Sequence, residues 1–459
     1  MRPLLLLPAL AVTLVAQAPT EALFLGDPAA VARTCADRAL ALKAGKEEFH
    51  VLRGQALAAE GRRAEAEAAF TQALRLAPRD MDTHAGIARG YLRLGDRRAA
   101  QAALDAVVAT RPKSPVPCRL AAQIWREVGD LGPVRPLAEK ALQLAPQAPA
   151  AAAEFAVDLL DMGFAKEAFA LMEVVQPLAP KNWEVRASFG AACLRAHRPK
   201  DAETWFQRAI LAYPREVDSR KAMVHAYVEF GTREDCLAAR PALQEALDIA
   251  YPPKDRDPEA LALMARLHLL LGEREEAEAR FREIVMHKEA GAEAFRLIGN
   301  AWMKAGFEAE ALRAYDVVIS GKGVGAYLGF GIGGGGTPTP GIPGAPPAPV
   351  GGGGPMFGID LAQINRKRAL FDAAVDLATL GFKARALPLA DEAYLMDPED
   401  FDNMATFGKL CFQKGWRVEG ARYLALGGKK GYKDREYWFA VGQALLETLP
   451  LPAPASPHP

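Results

Sequence analysis

The sequence predicts an all-α solenoid built from helical hairpins, and three observations carry that expectation. Glycine recurs every 34 residues at Gly61, Gly95, Gly129 and Gly163, with Gly231 on the same grid and His197 in the slot between. Proline keeps the same interval at Pro78, Pro112, Pro146, Pro180 and Pro214. On either side of each glycine, small and apolar residues return at three- and four-residue spacing, the period of a helix that buries one stripe. Composition agrees: of 459 residues 50% are hydrophobic and only 8% aromatic, a mix that suits closely packed helices better than sheets. Fifty-six basic residues balance 56 acidic ones, which argues against a dedicated nucleic-acid or anionic-membrane protein.

Taken in order, the chain opens with an export signal over residues 1–22. Met1-Arg2 precedes an apolar run from Leu4 to Val15 and the small-x-small exit Ala16-Gln17-Ala18. The run is shorter than the roughly 20 residues that cross a bilayer, and no membrane span is expected in the mature chain. Pro19 is awkward just after a cut at Ala18, so cleavage after Ala22 is the second choice; the competing reading is a hydrophobic helix that frays. Residues 23–46 make a helical lead-in.

The first hairpin runs from Glu47 to Pro78. Leu52, Ala56 and Ala59 share a face before Gly61; Ala66, Phe70 and Ala73 follow it. Gly61 sits where a tight turn between helices needs positive φ, and Pro78 ends the second helix.

Counted from Glu47 as position 1, this unit has Gly54 at 8, Leu57 at 11, Ala66 at 20, Phe70 at 24, Ala73 at 27 and Pro78 at 32. That pattern resembles the tetratricopeptide repeat family. Gly190, Ala202, Phe206, Ala209 and Pro214 repeat it, as do Gly299, Trp302, Ala311 and Tyr315, and then Leu370, Ala374, Ala386, Ala393 and Pro398. The resemblance implies a right-handed superhelical solenoid of about ten hairpins, starting at residues 47, 81, 115, 149, 183, 217, 258, 292, 367 and 401. An eleventh first helix with Trp438, Val441, Gly442 and Leu445 resembles the family's closing cap. Eight units thus fill 47–320, and two units plus the cap fill 359–449.

Two stretches depart from the pattern. The sixth unit carries Val224 at the small position, Arg240 at the large one and Pro241 inside its second helix; an irregular connection or a bend in the array would explain it. Residues 321–358, rich in Gly and Pro, read as a flexible loop or linker, across which a continuous stack is the favoured arrangement. Residues 450–459 form a Pro-rich tail.

Chemistry has little foothold. Gly329-x-Gly331-x-x-Gly334 follows no strand and opens no helix, so it is no dinucleotide fingerprint. His50 and His84 fall at position 4 of neighbouring units, and Cys118, Cys193, Cys236 and Cys411 at packing positions; Cys35 has no assigned role. The chain is read as non-catalytic, with no cofactor and no metal.

What remains is the groove. In the family, positions 2, 5, 9, 12 and 13 of each first helix line a concave face that holds peptides or partner helices. Carried over, Arg89 and Arg93 with Arg119, Gln123 and Arg126 make a basic patch. A carboxylate-bearing protein or peptide segment, or an anionic polysaccharide, would suit it. Arg296, Asn300 and Met303 with Phe371 and Phe412 make a second, more apolar patch. The leading expectation is an exported scaffold that binds a protein or peptide partner in a bacterial envelope assembly, periplasmic or envelope-associated. The alternative is a carbohydrate-recognising or polysaccharide-export accessory protein.

Overall fold

A computed structural model describes residues 18–43, 45–215, 217–252, 256–286, 292–320 and 361–451. The body of the expected export signal, the Gly/Pro-rich segment and most of the C-terminal tail lie outside these residues. Within them the secondary structure comprises 24 α-helices and one short 3-10 turn.

The chain forms two compact units, one of residues 1–250 with 399–459 and the other of residues 251–398. The first contains α1 (Glu21–Phe24), α2 (Pro28–Leu42), α3 (Glu47–Ala59), α4 (Arg63–Leu76), α5 (Met81–Arg93), α6 (Arg97–Thr110), α7 (Val116–Glu127) and α8 (Val134–Leu144). It continues with α9 (Pro149–Asp161), α10 (Ala165–Leu178), α11 (Trp183–Arg195), α12 (Pro199–Ala212), α13 (Val217–Phe230), α14 (Arg233–Ala238) and α15 (Arg240–Ala250). The second unit contains α16 (Pro258–Leu271), α17 (Arg274–Met286), α18 (Ala292–Lys304), α19 (Glu308–Ser320), α20 (Leu361–Thr379) and α21 (Lys383–Met396). Then α22 (Phe401–Gln413), α23 (Arg417–Gly431) and α24 (Arg435–Glu447) return to the first.

Every hairpin but the sixth turns by the same local device. Gly61 adopts φ 75°, and Arg62 N donates to Leu57 O at 2.9 Å, the six-to-one bond of a Schellman motif. The bond recurs one period on, from Asp96 N to Tyr91 O, and again from Phe307 N to Trp302 O and Trp416 N to Cys411 O. His197, in its glycine slot, takes φ 55° and is the one non-glycine residue with positive φ among the described residues.

The spacing of positions 8 and 24 has a steric cause. A Cβ on Gly54 would lie 2.3 Å from the Phe70 ring, and one on Gly190 or Gly299 would lie 3.0 Å from Phe206 or Tyr315. In these three hairpins the ring of the second helix is seated on bare backbone of its own first helix, which lets the two cross closely.

The sixth hairpin breaks this rule. Val224 is fully buried where others place a small residue, and Gly231, on the grid, is not left-handed; its amide bonds Tyr227 O at 2.9 Å. A capping box between Thr232 and Asp235 restarts the chain, and the second helix is split into α14 and α15. The first unit's unbroken run ends here, at Ala250. In the second unit, α20 packs on α18, so the ninth hairpin stacks on the eighth although the Gly/Pro-rich segment separates them in sequence.

Against the expectation of an N-terminal lead-in and a C-terminal cap, α2 and α24 pair with each other as one hairpin. Helix α24 begins 34 residues after α22 and supplies positions 1–13 of an eleventh repeat; its second helix is α2. Counted back from Glu47 in the same register, Ala32, Ala36 and Ala39 stand at positions 20, 24 and 27, and all three are fully buried. A Cβ on Gly442, at position 8, would sit 3.1 Å from Cys35 Cβ and 3.3 Å from Ala32 O, and the Arg38 guanidinium lies 4.4 Å from the Trp438 ring centroid. Phe24, Val31, Phe49, Leu52, Val441 and Leu445 complete this core. Upstream of it, Arg417 donates to Gly26 O at 2.7 Å and Pro19 packs on Gly428, so α1 is held too.

Candidate functional site

In a tetratricopeptide-like hairpin, positions 2, 5, 9, 12 and 13 of the first helix lie on the side turned away from its own second helix. In the first unit, three consecutive first helices set those positions around one cavity of about 930 Å³. From α24 come Phe439, Gln443, Leu446 and Glu447, at positions 5, 9, 12 and 13; α3 gives Glu48, Val51 and Gln55; α5 gives Asp82, Ala85, Arg89 and Arg93. Leu449, Pro450 and Leu451 form the rim where the chain leaves α24. The α24 wall was missed in the sequence because an end cap was expected there, although its register alone would have found it.

The geometry accounts for each arginine of the expected basic patch. Arg93 is not available to a partner: its Nη2 donates to Leu446 O at 2.9 Å and its Nη1 to Leu449 O at 3.4 Å. It thereby adds a charged donor to the carbonyls at the end of α24, where Leu446 O also accepts from Leu449 N at 3.0 Å. Burial pushes its pKa below the ordinary arginine value, with Glu127 opposing. Arg89 forms a bidentate pair with Glu127, at 2.8 and 2.7 Å. Arg119 is paired with Glu154 and, at 2.5 Å, with Asp158, which also accepts from Gln123 at 2.6 Å. Arg126 is exposed and makes no ion pair among the described residues. The basic patch is therefore corrected to a set of pairs between successive first helices, with one free guanidinium.

The cavity itself is acidic on balance. Six carboxylates line it against the two guanidinium groups of Arg89 and Arg93. Asp80 caps α5 through Thr83 N at 2.7 Å, and Glu48 pairs with Lys46 at 3.2 Å. Glu47, Asp82 and Glu447 make no ion pair among the described residues. Between these charges lie Val51, Leu446, Leu449, Leu451 and the Phe439 ring, which packs against Phe49 at 5.6 Å.

The second expected patch is divided. Arg296 holds Glu293 at 2.6 and 2.9 Å and Asp376 at 2.8 Å. Burial opposes its charge, but the two carboxylates outweigh that and hold its pKa above the ordinary value. Asn300 and Met303 are half-buried on α18, while Phe371 on α20 is buried. Phe412 belongs to the first unit and is a core residue, 5% exposed, with its ring where a Cβ on Gly420 would fall. It is not a groove residue.

All five cysteines are free and buried, Cys35 within the composite hairpin, where burial pushes its thiol up to about 12. The imidazole of His84 contacts Pro78 O at 3.0 Å. Among the described residues no cluster of three or more His, Cys, Asp or Glu could hold a metal ion, and no helix is long and apolar enough to cross a membrane.

A family model for the tetratricopeptide repeat matches residues 57–124. No curated protein matches the chain. Among solved structures it is similar to that of pilF from Pseudomonas aeruginosa, at 14% identity and a TM-score of 0.23, covering 52% of this chain and 90% of that one. A tetratricopeptide repeat protein from Parabacteroides merdae is similar at 15% identity and a TM-score of 0.29, with 52% and 93% covered. The repeat domain of P58(IPK) is similar at 14% identity and a TM-score of 0.19, with 87% and 98% covered.

Proposed function

From the premise that this is a tetratricopeptide repeat protein, we propose that it is a non-catalytic scaffold that holds a protein or peptide partner on the first-helix face of its first unit. The observation that carries this reading is the cavity formed by α24, α3 and α5, lined by positions 5, 9, 12 and 13 of α24 together with residues of α3 and α5. Its size lies at the upper end of small-molecule sites, and it opens along three stacked helices rather than closing around one ligand. A mixed lining of aliphatic groups and charges suits a peptide chain. One aromatic ring, already packed on Phe49, offers little for stacking on sugars, so the carbohydrate reading ranks second.

The site of action follows from the N-terminal signal: the protein is exported and works in a bacterial envelope assembly. Fractionation of cells expressing the tagged full chain tests this. A shortened product in the envelope fraction is expected, and full-length protein confined to the cytoplasm would refute it. The groove itself is tested by affinity capture from the native envelope with two baits, one wild type and one carrying Asp82→Trp and Gln443→Trp. These exposed positions admit bulk, so the variant should fold and fill the cavity. Partners retained by the first bait and lost by the second support the groove; identical captures count against it.

A further inference from the structure

We infer that the cavity between α24, α3 and α5 selects a cationic, extended peptide segment that carries apolar side chains, and not an acidic one. This deepens the proposal of a peptide-binding groove and rests on it. The argument starts from which charges are already used. Arg93 is spent on the backbone of the chain's own C-terminus and Arg89 on Glu127, so neither guanidinium is left to receive a carboxylate. Glu47, Asp82 and Glu447 stand at the cavity without ion pairs among the described residues, one on each of the three helices.

A partner carboxylate would meet three like charges and no open cation; a lysine or arginine would meet three acceptors. The three acids do not form one tight cluster that would suit a metal ion, since they are spread over separate helices with aliphatic surface between them. That spread fits alternating basic and apolar side chains of an extended segment, with the partly exposed Phe439, Leu449 and Leu451 as apolar contacts. Such exposed pairs are individually weak, so the selectivity arises from their number and sign.

The test is fluorescence anisotropy with two labelled probe peptides, one of alternating lysine, proline and leucine, the other with glutamate for lysine. At low salt the full chain should bind the first at least about ten-fold more tightly than the second, with the difference shrinking as the Debye length falls below about 10 Å. Glu47→Gln, Asp82→Asn and Glu447→Gln together should weaken the cationic peptide about ten-fold or more. Asp105→Asn, Glu139→Gln and Glu203→Gln, on second helices, should leave it unchanged; an equal loss would reduce the effect to net charge and overturn the inference. Tighter binding of the acidic peptide would also overturn it while leaving the groove standing. Binding of neither probe overturns it too, and the Trp-blocked bait then decides the groove separately.

Discussion

At position 15 of every contiguous hairpin but the sixth the backbone turns left-handed, and the residues found there rank by what that costs. Gly61, Gly95, Gly129 and Gly163 take φ between 71° and 86° without steric penalty, whereas His197 carries a Cβ through φ 55°. His197→Gly should therefore stabilise the protein by about 1 kcal/mol, and Gly129→Ala should destabilise it by a similar amount. Urea midpoints check both, and a null result at both positions would remove the turn argument. Asp96, next to one of these turns, caps α6. The amide of Ala99 first, and Arg63 second, hold its carboxyl below the ordinary carboxylate range. A depressed carboxylate contributes stability above its unfolded pKa, about 4, and loses it as pH falls through the folded value. Wild type should then exceed Asp96→Asn in melting temperature at neutral pH, with the gap closing below about pH 4. A gap that persists in acid would mean the cap acts through packing and not charge.

Among the elements, α2 and α24 are the pair whose relationship no local pattern displays. Each is half of a repeat, and each would expose an apolar stripe alone. Trp438 lies 1% exposed between them, so Trp438→Ala should cost about 3–5 kcal/mol. The same substitution should speed alkylation of Cys35, read by mass spectrometry of its peptide, by at least about ten-fold over wild type. Labelling of Cys193, whose thiol burial also pushes up to about 12, is the control in a distant hairpin. If both cysteines accelerate equally, the ends are not a local clasp but part of one global unfolding step.

For the molecule, the composite repeat makes the order in which its two halves occur along the chain a matter of convenience to the first unit. A permuted chain, with Leu451 joined to Pro19 by a short flexible linker and new ends opened inside the Gly/Pro-rich segment, should fold with a melting temperature within a few degrees of the parent. Removing α24 outright should instead expose the α2 stripe and lower it by far more. Circular dichroism melts distinguish the two, and a permutant as unstable as the truncation would mean the order of synthesis matters to the closure.

The sequence by itself determined the helices, the turns and the register, because helix periodicity, the left-handed glycine and the position 8 to 24 contact all act within one 34-residue period. It also held, unread, the fact that residues 435–447 and 28–42 are complementary halves of a repeat. The position count makes that legible, but a cap helix obeys the same count, and only packing tells which apolar stripe covers the other. Side-chain electrostatics were decided by the tertiary structure. Arg89 with Glu127, Arg119 with Asp158 and Arg93 with the carbonyls beyond α24 join residues from different first helices. Their pairing depends on how successive helices are offset and on which rotamers reach. The period places these residues on one face; the offset between helices, a property of the packed unit, cancels the basic patch and leaves the groove acidic.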